Sequence, residues 1–140
     1  MMKIVILVIM SATILMASFT REGVLVHDTK LKLIWQDDNA TKTTRLNYLD
    51  AKEYCKNLSL EGKDDWRLPT IQELQSIVDF RRYKPAINEV FKNTTPRLYW
   101  SKTLYSGDKN RAWYLFFYDG RSHYYLHSND SYVRCVRDKD

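Results

Sequence analysis

The stretch DDWRLPTIQEL, residues 64–74, predicts more about the fold than any other part of this sequence. Thr70 and Glu73 match a capping box, in which the threonine hydroxyl and the glutamate carboxylate each accept a hydrogen bond from an otherwise unpaired backbone N–H group. Pro69 stops any preceding helix from continuing into this one. Apolar residues then follow at helical spacing, which predicts a helix with one buried face that ends near Phe80. The residues of this face are Ile71, Leu74, Ile77 and Val78.

Trp66 and Arg67 allow two interpretations. In one, an exposed Trp-Arg pair just before a helix stacks on the ring of a ligand. We favour the other, in which Trp66 is buried and Arg67 links the helix to a sheet through a carboxylate such as Asp79, because the adjacent Leu68 and Pro69 are typical of core packing. The residues that we assign to structure are Trp66, Arg67, Leu68, Pro69, Thr70 and Glu73, together with Trp100 and Trp113 at the core or its edge.

The part of the chain before this stretch predicts two strands and a helix. Residues 23–38 predict two short strands joined at Asp28-Thr29-Lys30, and residues 40–45 predict a polar connection. Asn47 can cap a helix that runs to about Leu58. The expected buried face of that helix carries Tyr48, Ala51, Cys55 and Leu58.

The part after it changes from loop composition to strand composition at Pro96. Residues 81–97 are irregular, with apolar anchors. These anchors are Ala86, Ile87, Val90 and Phe91. Asp119-Gly120 predicts a two-residue hairpin within a series of four strands, at residues 98–105, 111–118, 121–126 and 131–137. Strands, two helices, a long loop and an antiparallel meander together predict an α+β domain with segregated helices.

Residues 1–17 are typical of a secretory signal peptide. Lys3 supplies a positive charge, residues 4–16 are uncharged, and Ala17 and Ser18 are small residues suited to cleavage. The uncharged run is shorter than the about 20 residues that a transmembrane helix needs, so we expect cleavage and no transmembrane span afterwards. The alternative is an uncleaved anchor. The expected location is the periplasm of a bacterium, its surface or the medium.

Charge and cysteine content limit the partners and the compartment. The formal net charge of +5 at pH 7 permits an anionic partner without requiring one, and export argues against nucleic acid. Cys55 and Cys135 predict one disulfide in an exported chain of this size. Two free, buried thiols are the alternative.

Motifs of common enzyme classes are absent from the sequence. It contains no nucleophile elbow, phosphate-binding glycine loop or zinc-protease motif, so we expect a protein that is not an enzyme, with no catalytic residue and no cofactor. His123 and His127 would lie about 13 Å apart on one face of a strand, too far apart for one metal ion unless the strand turns before His127. We therefore expect no metal site.

A series of motifs occurs in order along most of the chain. It consists of TKLKLIWQD (29–37), AKEYC (51–55), DWRLPTIQELQSIVD (65–79), YWSKT (99–103), AWYLFF (112–117), Gly120 and YVRCVR (132–137). The series resembles the Legionella collagen-like (Lcl) C-terminal domain family and indicates such a domain at about residues 22–137. Lys30 and Lys102 depart from the family pattern, at positions that affect turn geometry and surface.

The resemblance implies a C-type-lectin-like fold, to which the formylglycine-generating enzymes are related. Such a fold has two helices packed on small antiparallel sheets. It also implies one disulfide that joins Cys55 of the first helix to Cys135 of the last strand. It further implies a binding module of the cell surface or envelope, whose partner is a glycan or a cell-surface protein, and it implies no agreed catalytic residues. The calcium signature of sugar-binding C-type lectins is missing.

A ligand site is expected among basic and aromatic side chains of the loops and strand ends, because loops on a rigid scaffold carry most binding functions. The candidates are Arg81, Arg82, Lys84, Lys102, Lys109, Arg111, Arg121, His123, Tyr124 and Tyr125. They favour a sulfated or otherwise anionic glycan. The alternatives are a solvated basic rim without function, an accessory or degenerate relative of the formylglycine-generating enzymes, and a structural envelope protein without a ligand. An enzyme would be distinguished by a metal ion or a reactive thiol.

Overall fold

The computed structural model describes residues 18–140, so the predicted signal peptide lies outside the described residues. The described part is an α+β fold with few helices, two sheets and one disulfide, as the sequence predicts. The helices are α1 (Ala40–Thr43), α2 (Tyr48–Asn57) and α3 (Ile71–Ser76). The strands are β1 (Phe19–Glu22), β2 (Leu25–Asp28), β3 (Leu33–Gln36), β4 (Arg45–Leu46), β5 (Leu98–Tyr105), β6 (Asp108–Phe116), β7 (Arg121–Leu126), β8 (Ser131–Tyr132) and β9 (Val136–Asp138).

The first sheet has the antiparallel strand order β1-β2-β3-β9. The predicted hairpin at residues 23–38 is confirmed as β2 and β3, which pair from Leu25 opposite Gln36 to Asp28 opposite Leu33. All four residues of β3 are buried, as in a strand that is covered on both faces. The final strand β9 completes this sheet by pairing with β3, so that the first and last strands of the described chain form its two edges.

The second sheet has the strand order β4-β8-β5-β6-β7. Its β5-β6-β7 part is the predicted antiparallel meander, and the predicted ranges 98–105 and 121–126 are confirmed as β5 and β7. The single strand predicted at residues 131–137 is wrong. That segment divides into β8 in the second sheet and β9 in the first, because Arg134 between them turns into the interior to meet Asp37.

The predicted two-residue hairpin at Asp119-Gly120 is also wrong. Phe116 pairs with Arg121, so four residues form the turn. The Gly120 N–H donates to the Phe116 carbonyl oxygen at 2.8 Å and closes the turn, while the N–H and carbonyl groups of Phe117 face away from β7, towards Arg97 and Ala86. Gly120 ends the turn with φ +87°, a conformation that favours glycine.

The two predicted helices are confirmed, although their lengths differ from the prediction in one case. Asn47 caps α2 by accepting a hydrogen bond from the Asp50 N–H. The helix predicted to end near Phe80 ends at Ser76, because Val78 forms a bridge with Ile87 in place of another helical turn. The short helix α1 occupies part of the segment that the sequence predicts to be only a polar connection.

The core consists of two apolar clusters that share strands. Trp35 of β3 and Leu74 of α3 belong to the first cluster, whereas Ile34 of β3 and Ala51 of α2 belong to the second. The disulfide between Cys55 and Cys135 is confirmed, with 5.5 Å between the Cα atoms. It joins α2 to the residue before β9 within the second cluster. No helix in residues 18–140 is long and apolar enough to span a membrane.

Candidate functional site

Trp66 and Arg67 serve the fold. Trp66 is 3% exposed, and its indole Nε1 donates a hydrogen bond to the Lys63 carbonyl oxygen at 2.8 Å. The Arg67 guanidinium donates two hydrogen bonds to the Glu73 carboxylate, at 2.7 and 2.9 Å, and a third to Asp138 at 3.1 Å. Arg67 thus links α3 to β9. The prediction that Arg67 pairs with Asp79 is wrong. Asp79 lies beyond the end of α3 and pairs with Arg81.

Glu73 completes both this ion pair and the predicted capping box. Its Oε1 accepts from the Thr70 N–H at 2.8 Å, and its own N–H donates to the Thr70 hydroxyl at 3.1 Å. Burial alone would raise the pKa of Glu73, but hydrogen bonds from Arg67 and Thr70 lower it below its ordinary value. The same contact raises the pKa of Arg67. The polar groups of Arg67, Thr70 and Glu73 are therefore used in hydrogen bonds within the protein.

A second ion pair is fully buried. Arg134 and Asp37 are both inaccessible to solvent, and the Arg134 Nη1 donates to the Asp37 Oδ1 at 2.8 Å. Asp37 also accepts hydrogen bonds from the Lys92 N–H at 2.8 Å and from the Arg21 guanidinium. Sequence reasoning missed this pair, because its two residues lie 97 positions apart in the chain. The burial and the hydrogen bonds of this ion pair indicate that it stabilises the fold.

The ten candidate ligand-binding residues do not form one site. Arg81, Arg82, Lys84 and Arg121 lie on two segments that contact each other, residues 79–85 and 117–121, which we call the tip. Arg111 lies near the β5-β6 turn with its guanidinium 5.8 Å from the centre of the Tyr124 ring. Lys109 belongs to the same strand. Lys102 lines a separate groove with Lys52 and Lys56 of α2.

The tip joins two segments that are distant in sequence. The Lys84 N–H donates to the Tyr118 carbonyl oxygen at 2.8 Å, and the rings of Tyr83 and Tyr118 lie 6.3 Å apart. Phe80 and Tyr83 are 78% and 73% exposed. Phe80 also packs against Gly120, where an added Cβ would lie 2.9 Å from its ring. The tip therefore presents exposed rings on an anchored backbone.

Acidic residues accompany most of the cations of the tip. The Arg81 guanidinium donates two hydrogen bonds to the Asp79 carboxylate, each at 3.0 Å, and Arg121 lies 3.4 Å from Asp119. The hydrogen bonds from Arg81 lower the pKa of Asp79. Lys84 forms no ion pair within the described part of the chain.

Aromatic rings cluster on β7 and its neighbours. Tyr124 stacks on Tyr105 with 3.8 Å between ring centres, and His123 stacks on Tyr124 at 4.4 Å. Tyr125 makes no ring contact with Tyr124 or Tyr105. Its ring lies 5.8 Å from Tyr114, a neighbour of His123, and 6.1 Å from the buried Trp100. Trp113 is partly buried beside Tyr124, at the edge of the first apolar cluster.

His123 and His127 do not share a site. His127 follows the end of β7 and stacks on Tyr48 of α2 at 4.0 Å. Burial lowers the pKa of His127. Within residues 18–140, no group of three His, Cys, Asp or Glu side chains is arranged to hold a metal ion.

An open pocket of about 470 Å³ contains two arginines that sequence reasoning missed. Arg45, Arg97, Asp130, Ser131 and Tyr132 contribute to its wall, and we call it the Arg45–Arg97 pocket. The predicted residue Tyr125 also lines it. No local pattern marked this site, because its residues come from separate segments that only the second sheet brings together.

Comparison with known proteins gives a family match over most of the described chain. The family model described as Lcl C-terminal domain matches residues 24–137. A search of curated proteins finds no match.

Proposed function

This chain belongs to the Lcl C-terminal domain family, and from that premise we propose that it is an exported, non-enzymatic domain of C-type-lectin-like fold that binds an anionic glycan through the tip. Its location would be the periplasm, the bacterial surface or the medium. A protein surface is the other partner that such a domain would recognise.

The disulfide supports the lectin-like fold and the export. In lectin-like domains a cysteine of the first helix pairs with the last strand, and here Cys55 of α2 pairs with Cys135, next to β9. Disulfides form and persist in oxidising compartments outside the cytosol. Two small sheets with few helices are compatible with the same fold.

The observation that carries the glycan proposal is the exposure of aromatic rings among cations at the tip. Phe80 and Tyr83 are large apolar side chains that point into solvent, which is unusual unless a surface has a partner. Their flat faces suit the C–H face of a sugar ring. Arg81, Arg82, Lys84 and Arg121 surround them and suit sulfate or carboxylate groups.

The ion pairs within the tip do not prevent this role. Arg81 is 89% exposed, and solvent-exposed ion pairs contribute little to stability. Arg82 and Glu89 are 4.0 Å apart, at the limit of an ion pair. A ligand anion can therefore replace these carboxylates as the partner of the guanidinium groups at small cost.

A binding screen with a salt series tests the proposal. The protein is screened against a glycan array, and the affinity for the strongest glycan is measured at increasing salt. We expect the affinity to fall steeply, because exposed charges are screened beyond about 8 Å at physiological ionic strength. The double variant Arg81→Ala with Arg82→Ala should bind more weakly at an unchanged melting temperature.

The matched control removes two exposed cations elsewhere. Lys52→Ala with Lys56→Ala lowers the net charge equally on the surface of α2 and should leave the affinity nearly unchanged. Equal losses in both double variants would indicate a general charge effect and would refute the tip as the site. Binding that does not depend on salt would refute an anionic ligand. If the protein binds other proteins but no glycan on the array, the partner is a protein surface.

Export has a separate test. Mass spectrometry of the exported protein should find an N-terminus near Ser18. An intact Met1 in that fraction would indicate an uncleaved anchor.

A further inference from the structure

The Arg45–Arg97 pocket lies apart from the tip and has the size of a ligand site. Its walls come from all five strands of the second sheet or from the residues next to them. Its volume of about 470 Å³ falls in the range of roughly 300–1,000 Å³ that is common for small-molecule pockets. Polar groups and aromatic faces both line it, which is the composition that fixes the orientation of a ligand.

The two arginines of the pocket have no internal partner for their charge. Neither Arg45 nor Arg97 forms an ion pair with any acidic residue in the described range 18–140, in contrast to Arg81 and Arg121 at the tip. The Arg45 guanidinium lies 5.6 Å from the centre of the Tyr132 ring, which restrains its position. Guanidinium groups in such a setting are suited to bidentate binding of a carboxylate.

Ser131 supplies the second, independent sign of a ligand. It is 1% exposed, and its Oγ is buried with no hydrogen-bond partner among the described residues. A buried hydroxyl without a partner is unfavourable, and such groups are uncommon in folded proteins. Because Ser131 also contributes to the pocket wall, rotation of its side chain about χ1 would bring the Oγ to an oxygen atom of a bound ligand.

We infer that the Arg45–Arg97 pocket binds the carboxylate of an acidic sugar residue, as a second site of this domain. The carboxylate binds to Arg45 and Arg97, and a sugar hydroxyl pairs with the Ser131 Oγ. Asp130 accepts hydrogen bonds from further hydroxyls. The inference rests on the proposed function for its ligand class, a glycan, but it concerns residues outside the tip.

The charge balance of the pocket favours a carboxylate over a sulfate-rich or a neutral ligand. Two arginines and one aspartate leave a single net positive charge, which one carboxylate neutralises. Asp130 repels additional negative charge and at the same time provides acceptors that sugar hydroxyls need. Phe116 and Tyr132 add apolar surface for the face of the ring.

An NMR titration of the exported protein with methyl glucuronide tests the inference. We expect saturable shifts at residues of the pocket, and at least about tenfold weaker binding of the neutral methyl glucoside. Arg45→Gln and Arg97→Gln should each weaken glucuronide binding by about tenfold, since each removes one charge-assisted contact. Lys30→Gln, the matched control at an exposed cation outside both the pocket and the tip, should leave it unchanged. Equal binding of the glucoside, or shifts confined to the tip, would overturn the assignment.

Two further variants separate binding from folding. Ser131→Ala should weaken glucuronide binding without lowering the melting temperature, because it removes a hydroxyl that has no internal partner. A change in melting temperature with unaltered affinity would assign Ser131 a purely structural role and remove it from the site. Asp130→Asn should improve binding of a glucose disulfate relative to glucuronide, because it removes the negative charge that repels a second anionic group. If the wild type already prefers the disulfate, the carboxylate assignment is overturned.

The titration distinguishes this inference from the proposed function. Suppose that the Arg81→Ala, Arg82→Ala protein loses glycan binding and that glucuronide causes no shifts in the wild type. That result would refute the pocket and leave the tip as the site. The reverse pattern would overturn the tip and retain the pocket.

Discussion

Substitution of Asp37 by asparagine tests the buried ion pair at the centre of the fold. The change keeps the shape of the side chain and removes the negative charge that faces Arg134. Arg134 is inaccessible to solvent and would keep hydrogen bonds to the Gln36 and Asn93 carbonyl oxygens, at 2.7 and 2.9 Å, but not its countercharge. The variant therefore contains a buried cation without an anion.

The expected cost is large. Removal of one partner of a buried ion pair destabilises a protein by about 3–5 kcal/mol. A domain of this size has a free energy of unfolding of about 5–15 kcal/mol, so the variant should be close to marginal stability. Replacing both residues, with Asp37→Asn and Arg134→Met, should cost less than the sum of the two single changes by more than about 1 kcal/mol, because no charge is then left buried.

The pH dependence of stability provides a second measure of the same pair. Burial alone would raise the pKa of Asp37, but Arg134 and the Lys92 N–H lower it below its ordinary value. A carboxyl whose pKa is lower in the folded state contributes stability that is complete above its unfolded pKa, about 3.9, and is lost as the pH falls through the folded value. The wild type should therefore lose this contribution in acid, and Asp37→Asn should lack that part of the pH dependence.

Urea unfolding at neutral pH and along an acid series measures both effects. Asp64→Asn serves as the control, because it removes an exposed aspartate that forms no ion pair within residues 18–140, and it should leave the unfolding midpoint unchanged at neutral pH. An Asp37→Asn protein with the wild-type midpoint and an unchanged denaturant slope would refute the reasoning.

Two other predictions concern the opening motif and the disulfide. Trp66→Ala should lower the free energy of unfolding by about 3–5 kcal/mol, as large aromatic truncations in cores do, whereas Phe80→Ala at the exposed tip should change it little. Calorimetry or urea unfolding would decide this, and a stable Trp66→Ala protein that has lost only ligand binding would make Trp66 a ligand residue. Alkylation of the exported protein without reduction should label neither Cys55 nor Cys135, and labelled thiols would contradict the bond. Joint replacement of both cysteines by alanine should cost about 4 kcal/mol by the chain-entropy relation for residues 80 positions apart.

Local patterns predicted those parts of the fold whose partners lie within a few residues. Asn47 and Thr70 were recognised as helix caps because a capping side chain bonds to an amide two or three residues away. The strands at 98–105 and 121–126 were recognised because strand-forming residues cluster there. The disulfide could be predicted without any knowledge of the geometry, because the chain has two cysteines.

The candidate site was less predictable, because its members are brought together from distant segments. The sequence singled out exposed cations by composition and so included Lys102, which lies away from the tip beside α2. It overlooked Arg45 and Arg97, which stand at strand ends without a distinguishing neighbour. Phe80 and Tyr83 were also overlooked, because exposure of a ring depends on what packs over it.

Sequence by itself determined the α+β class, the two capped helices, the meander, the cysteine pair and the family. These follow from backbone periodicity, from capping chemistry and from the order of motifs, all of which are local or positional properties of the chain. Tertiary structure decided which charges meet. Arg67 pairs with Glu73 and not Asp79 because α3 ends early, and Arg134 divides the last predicted strand because Asp37, 97 positions away, holds it in the core. A charged side chain selects its partner by distance in space and by the loss of water around it, and neither quantity is written in the order of residues along the chain.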